Sequence, residues 1–380
     1  MDVVYTKATE DNFEELVKFA NEVFDIRFPE LLPKLYKQEY RTMPHHYIVK
    51  EDNKIKAAIG SFPMEIDIFG EKLQIRGIGT VSVHKECRGS GYMKKLMNMA
   101  LDDMKKEGVA ISCLGGQRQR YEYFSYLPCG PQINFHISET NIRHKFRSNI
   151  DLDISFKSVN EDDINIIENM YNLYNKENIK VNRRKNEFLD ILKSWDSEVY
   201  SIVKNNELVG YVVLSENKTS INELILRDED LFISVIASHI KSNNIHGINI
   251  SVPLYAQKRI KAAQQLCESY SISNNCQFTV LDYEKVITAL LKAKSTYKNL
   301  EDGELNISIK DYGTVSISVQ DSKIDVSKTD EQGDICLEHL DAMQLLFSPL
   351  TAYSKLPENV DKCVESWLPL PLYINRADHV

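Results

Sequence analysis

The sequence predicts a mixed α/β (α+β) fold in three parts, two tandem copies of one mixed-sheet α/β unit followed by a smaller α+β segment. Three observations predict it. A strand, an acidic helix start and an amphipathic helix occur twice, a β-hairpin follows each at similar spacing, and the pattern changes near residue 284. The expected parts are residues 1–150, 151–283 and 284–380. A chain of 380 residues has room for them, since single cores stop growing at about 250–300 residues.

In the first copy, Tyr5 to Asn12 precede a helical pattern of Phe13, Leu16, Val17, Ala20, Val23 and Phe24. In the second, Ser155 to Asp163 precede Ile164, Ile167, Met170, Tyr171 and Tyr174. The hairpin Tyr47–Lys50 with Ile55–Gly60 returns as Ser201–Lys204 with Leu208–Val213, joined at Asn205-Asn206. After 284, a helix through Val286 and Leu290 leads to short strands at Leu305–Ile309, Val315–Val319 and Ile324–Val326. Helical segments are expected at Leu340–Phe347 and Val360–Trp367, and then an extended tail, because Pro369 and Pro371 preclude a helix there.

A formal net charge of -9 argues against generic nucleic-acid binding, which rests on Lys and Arg neutralising phosphates, and agrees with a cationic ligand. No run approaches the roughly 18–20 apolar residues that span a bilayer, and the acidic start lacks a secretory pattern. Seven scattered cysteines form no CxxC pair, so neither a zinc site nor a disulfide framework is expected. The expectation is a cytoplasmic protein with reduced thiols, no metal and no membrane partner.

Chemistry concentrates between Gly77 and Gly130. Thr80-Val81-Ser82-Val83 reads as a strand, His84 to Gly91 as a small-residue turn with a cation, and Met93, Leu96, Met97, Ala100 and Met104 as one helix face. Gly108 closes that helix and Val109–Leu114 begins the next strand. A strand, a glycine turn and a helix start gather backbone N–H groups around one point, which suits a phosphate or pyrophosphate. Gly89 and Gly91 permit close approach and Arg88 adds a forked charged contact. A Gly-Ser-Gly turn is equally compatible with a plain turn, and the stretch is neither a Walker loop nor a dinucleotide fingerprint.

Downstream lies Gly115-Gly116-Gln117-Arg118-Gln119-Arg120-Tyr121-Glu122-Tyr123-Phe124-Ser125-Tyr126. With this addition the stretch resembles the GNAT superfamily of acyl-CoA N-acyltransferases, whose pyrophosphate loop is matched by Arg88-Gly89-Ser90-Gly91-Tyr92-Met93. The later Tyr-x-x-x-Gly-Phe/Tyr element of that family is matched by Tyr121 to Tyr126. Met93 replaces a small residue and Ser125 replaces the glycine. The whole layout, a complete GNAT unit, a second without the loop and a third part like the sterol carrier protein fold, is similar to the Eis acetyltransferases. In the second unit the corresponding stretch is Asn222 to Asp230, where three adjacent carboxylates would repel a pyrophosphate.

The resemblance implies acetyl-CoA as co-substrate, held by Val81, Ser82 and Val83 along the strand, by Arg88, Gly89, Ser90, Gly91, Tyr92, Met93 and Lys94 at the loop, and by Gly116 and Gln117. It implies Tyr121 as general acid to the departing thiolate and the carboxylate of Val380 as base toward the amine. A free terminal carboxylate has a pKa of about 3.3–3.7, weak for this task unless burial raises it. A tail that merely anchors the third part is the alternative. His84 at the strand end, and Arg118 and Arg120, are compatible with plain surface roles; Asp25 and Glu30 are candidates for recognising an ammonium group.

The expected activity is acetyl transfer to a small-molecule amine, an aminoglycoside or other polyamine, with a protein lysine as the competing acceptor. A non-catalytic acyl-CoA or lipid carrier is the competing class. The resemblance also implies a homo-oligomer, a hexamer.

Overall fold

The computed structural model describes residues 2–146, 153–351 and 363–380. The expected boundary at 150–151, and residues 360–362 of the last expected helix, lie outside these. Contacts divide the chain into two compact units, one of residues 1–130, 274–372 and 379–380, the other of residues 131–273 and 373–378.

The first unit is built on β1 (Val3–Lys7), β2 (His46–Glu51), β3 (Lys54–Ile68), β4 (Glu71–Val83) and β5 (Ile111–Leu114). Strands β1 to β4 pair antiparallel in chain order, and β5 joins β4 in parallel. The parallel step is made possible by the crossover helix. Along residues 1–130 the α-helices are α1 (Phe13–Phe24), α2 (Phe28–Leu31), α3 (Pro33–Tyr36), α4 (Tyr92–Lys106) and α5 (Arg118–Glu122). Helix α4 buries Leu96, Met97, Ala100 and Met104 with Tyr47, Ile59, Ile78 and Leu114 from the sheet, which is the face that its periodicity predicts. Gly108 follows in the left-handed region, the closure expected there.

Beyond β5 the sheet adds residues 277–280 of the strand Tyr270–Val280, antiparallel to β5. The same unit contains the helix Tyr283–Ser295 and a second sheet in which Gly303–Ile309, Gly313–Gln320 and Lys323–Thr329 pair antiparallel. Ile335–Leu337 joins Gly303–Ile309 in parallel, a strand missing from the sequence reading because three residues carry no period. Helices His339–Phe347 and Cys363–Trp367 complete this part, and Leu368 to Ile374 run on with no regular structure.

The second unit has the same internal strand plan. Ser155–Ser158 pairs with Glu198–Lys204, that with Glu207–Leu214, that with Ser220–Leu226, and Gly247–Pro253 joins in parallel after the helix Phe232–Ser242. Residues 132–138 pair antiparallel with Gly247–Pro253.

A buried ion cluster sits in the second unit. The Arg183 guanidinium bonds both carboxylate oxygens of Glu223 at 2.9 and 2.6 Å and both of Asp378 at 2.8 Å. It lies 4.1 Å from the Tyr174 ring centroid, and the Tyr211 hydroxyl donates to Glu223 at 2.5 Å. Charges this deep need such partners, and the facing carboxylates hold Arg183 firmly protonated. Where an acceptor loop would stand, Asp228 caps a short 3-10 turn and Glu229 pairs with Arg259.

Candidate active site

Strand β4 builds the site. Its parallel ladder to β5 ends at Ile78 and Leu114, so Gly79 to Val83 run on with no ladder to β5. On the other side the pairing passes from Gly60–Gly79 to Ala58–Ser82, so Thr80 and Val81 face the single residue Ile59. That is a bulge, which bends the strand and frees backbone groups from the ladder. Thr80 carries φ +51, and Ser82 fastens the bend through its hydroxyl, 3.0 Å from the Thr80 carbonyl. Val81, Ser82 and Val83, assigned to the acyl arm by resemblance, are the residues on this opened edge.

The strand leads through the turn Lys85–Cys87 to Arg88, which is exposed, and to Gly89 and Gly91, at φ +88 and +79. A Cβ at either glycine would meet nothing within 4 Å, so backbone conformation rather than crowding demands glycine here. Gly91 caps α4, whose first bond is Lys95 N–H to the Gly91 carbonyl at 3.1 Å. The N–H groups of Tyr92, Met93 and Lys94 precede that bond and have no intrahelical partner. With the exposed Gly89 beside them they have the geometry of an anion cradle, while the Ser90 N–H is used within the turn, donating to the Cys87 carbonyl at 3.2 Å.

Two side chains of the loop do other work. Tyr92 is buried against Tyr5 and donates to Glu51, so only its backbone faces the cradle. Met93 packs onto the core rather than crowding the loop, which explains how a large residue replaces a small one. Lys94 stands 4.7 Å from the centroid of the exposed Tyr123 ring.

Gly116 and Gln117 follow β5 and are exposed. A Cβ on Gly116 would lie 2.6 Å from the Tyr121 ring, so this glycine makes room for that ring at φ +141. Tyr121 on α5 is buried; desolvation raises its pKa, and Arg120, by charge and hydrogen bond, opposes the rise. Ser125 stands at φ +66, which is why a glycine suits that position and serine is strained. Ser125→Gly should stabilise the protein by about 0.5–1 kcal/mol, read as a higher denaturant midpoint at constant m-value.

The tail reaches the same strand. A Cβ on Gly77 would overlap Val380 Cγ2, and one on Gly79 would lie 3.1 Å from the Val380 carbonyl carbon. The buried ammonium of Lys34, on α3, donates to the His379 carbonyl at 2.6 Å. Phe62 lies over Gly60 and Gly79, and a chain of rings runs from Phe24 through Phe28, Tyr36 and His46 to Phe62 with centroid spacings of 5.1 to 5.8 Å. Gly77, Gly79, Lys34, Tyr36 and Phe62 received no role from sequence. Two glycines alternating inside a strand were the available signal, since they mark a close approach of another chain.

The remaining candidates are placed more plainly. His84 accepts from the Glu86 N–H at 3.4 Å as a turn cap, Arg118 pairs with Glu122, and Glu30 pairs with Arg27 in the open. Asp25 is the exposed, left-handed cap of α1. Among the described residues no cluster of His, Cys, Asp and Glu could hold a metal, and no helix is long and apolar enough to cross a membrane.

Residues 4–128, the segment that runs from β1 through β5 and includes both motifs, match the family model "Acetyltransferase (GNAT) domain". This part of the chain is a GNAT acetyltransferase domain. The protein is therefore an N-acetyltransferase with acetyl-CoA as co-substrate. No curated protein matches the sequence. Solved structures share the fold of this chain along nearly its whole length. A probable N-acyltransferase from Enterococcus faecalis matches with TM-score 0.70 at 14% identity, covering 98% of both chains. A GCN5-related N-acetyltransferase from Kribbella flavida matches with TM-score 0.69 at 14% identity, covering 100% of this chain and 98% of that one. Eis1 from Mycobacterium abscessus matches with TM-score 0.67 at 13% identity, covering 99% and 98%. At such identities the likeness establishes the fold.

Proposed function

We propose that the protein transfers the acetyl group of acetyl-CoA to a small-molecule amine, an aminoglycoside or another polyamine, by direct attack on the thioester. The observation that carries this reading is the opened edge of β4, Gly79 to Val83, leading directly into the cradle at the start of α4. An extended acyl arm needs unpaired strand groups and its pyrophosphate needs free N–H groups, and both lie in one continuous stretch of chain.

In this reading Val81, Ser82 and Val83 hold the acyl arm through their backbone. Gly89, Gly91, Tyr92, Met93 and Lys94 offer N–H groups to the pyrophosphate, Ser90, whose own N–H is held by the Cys87 carbonyl at 3.2 Å, shapes the loop between the two glycines, and Arg88 adds a charged fork. Gly116 and Gln117 border the arm beside Tyr121. The Tyr121 phenol gives its proton to the departing sulfur, and the Val380 carboxylate accepts one from the amine. Its seat on Gly79 supports that role, since β4 is also where the acyl carbonyl would lie. Asp25 and Glu30, both exposed, are proposed to attract the acceptor's charge.

The division into 1–150, 151–283 and 284–380, two GNAT units and a sterol carrier-like part, is proposed with it. The shared strand plan of the two units supports the tandem reading. A cytoplasmic hexamer completes the proposal, with light scattering as its measure.

The test is thiol release from acetyl-CoA against aminoglycosides, linear polyamines and a lysine peptide. Turnover with the first two classes is expected. Turnover with the peptide alone moves the assignment to protein lysine, and saturable acetyl-CoA binding without release from any amine replaces it with the carrier. Arg88→Ala should raise KM for acetyl-CoA about tenfold with kcat within twofold, as loss of a charge-assisted contact outside the reacting centre does. An unchanged KM removes Arg88 from the cradle.

A further inference from the structure

Thr80 is the one β-branched residue with positive φ among the described residues, and it lies in the interior of a strand. A β-branched side chain in that region crowds its own backbone, at a cost of about 1–2 kcal/mol. Such a conformation persists only where its surroundings dictate it, and it is commonest at functional sites.

The surroundings here are specific. The Thr80 hydroxyl is hydrogen-bonded to the hydroxyl of Tyr36, and the Tyr36 hydroxyl lies 3.3 Å from His46 Nε2. His46 Nδ1 faces the Met43 carbonyl at 3.3 Å. Tyr36, His46 and Thr80 are 1%, 0% and 8% exposed, so water does not complete their bonding. One arrangement satisfies every group: Nδ1–H donates to Met43, the Tyr36 hydroxyl donates to Nε2, and the Thr80 hydroxyl donates to Tyr36. It requires a neutral imidazole, and burial pushes the His46 pKa down to about 4. The Tyr36 ring is clamped as well, between Phe28 and His46.

We infer that Tyr36 is a positioning residue for acetyl transfer: its hydroxyl, oriented by neutral His46, fixes Thr80 in the bulge of β4 and so aims the backbone of Thr80 and Val81 into the active site. The inference rests on the acetyl-transfer reading above. Tyr36 touches neither substrate in this scheme; it acts through Thr80. Since oxyanion-type stabilisation depends on donors held in place beforehand, loosening the bulge lowers kcat more than it weakens binding.

The experiment is a double-mutant cycle on purified full-length protein, reading thiol release, acetyl-CoA affinity by calorimetry, and thermal stability. Tyr36→Phe keeps the clamped ring and removes only the hydroxyl, and kcat should fall about tenfold with acetyl-CoA affinity within threefold. Thr80→Gly removes both the hydroxyl and the steric need for a clamp, and also lowers kcat. In that background Tyr36→Phe should cost less than twofold more, because the path through Thr80 is already cut. Thr80→Asn, which accepts a left-handed backbone and can still meet the Tyr36 hydroxyl, should recover most of the wild-type kcat.

Equal losses from Tyr36→Phe in both backgrounds would assign Tyr36 to core packing and overturn the inference. So would Tyr36→Phe with wild-type kcat. Should Tyr36→Phe fail to fold, Thr80→Val leaves the Tyr36–His46 bond intact, and an undiminished kcat in that variant overturns the inference equally. Wild-type protein that binds acetyl-CoA but acetylates no amine overturns the reading and the inference together, whereas wild-type turnover with an unaffected Tyr36→Phe overturns only the inference.

Discussion

Addition of a single glycine after Val380 should lower kcat by at least about 100-fold while leaving acetyl-CoA affinity within twofold, the scale of a lost general base. The addition turns the Val380 carboxylate into a neutral amide and moves the nearest carboxylate one residue on, about 3.8 Å along the chain. The valine side chain keeps its place, because bare Gly77 and Gly79 still receive it. Lys34 still holds the His379 carbonyl. Seat and tail are thus retained and only the charge on Val380 is lost. Val380→Ala makes the opposite change, keeping the carboxylate and emptying the seat over Gly77, and should cost only about three- to tenfold. Steady-state thiol release with saturating amine measures both. Wild-type kcat in the extended protein would leave the tail as an anchor and hand the proton to water.

The sequence and the structure agree where the signal is local. The repeated hairpins, the apolar face of α4 and the glycine turn at 89–91 were legible because periodicity and turn chemistry act over a few residues. What escaped is long-range. The Lys34 bond to His379 spans 345 residues, and the Tyr36 bond to Thr80 spans 44. Thr80 in particular reads as a good strand former, and it does sit in a strand; only its distant partner reveals that it bends there. The pairings of residues 277–280 and 132–138 were likewise illegible, since their partner strands lie far away in sequence. The same distinction separates the two kinds of candidate site residue. Arg88, Gly89, Gly91 and Tyr121 announce themselves by spacing, whereas Gly77, Gly79, Lys34 and Tyr36 acquire meaning only once the tail and α3 are placed against β4.

Tyr121→Phe should lower kcat by about 100-fold with KM for acetyl-CoA within threefold, the second large effect expected. The phenylalanine ring fills the same space against Gly116, so packing is conserved and only the donor disappears. Burial makes the phenol a weaker acid than in water, which by itself disfavours proton transfer to sulfur. The same desolvation raises the proton affinity of a thiolate leaving into that site, so donor and acceptor shift in the same sense and stay matched. Arg120 limits the rise on the phenol. The sign has a pH consequence. With its pKa above the ordinary value of about 10, Tyr121 remains protonated across the neutral and mildly alkaline range, so wild-type kcat should show no falling limb below about pH 9.5. A thioester with a more acidic leaving thiol depends less on a donor, and with it the Tyr121→Phe deficit should shrink several-fold. A deficit that stays constant across leaving groups, or a kcat equal to wild type, removes Tyr121 from the proton-transfer step and leaves it as a ring that shapes the turn after β5.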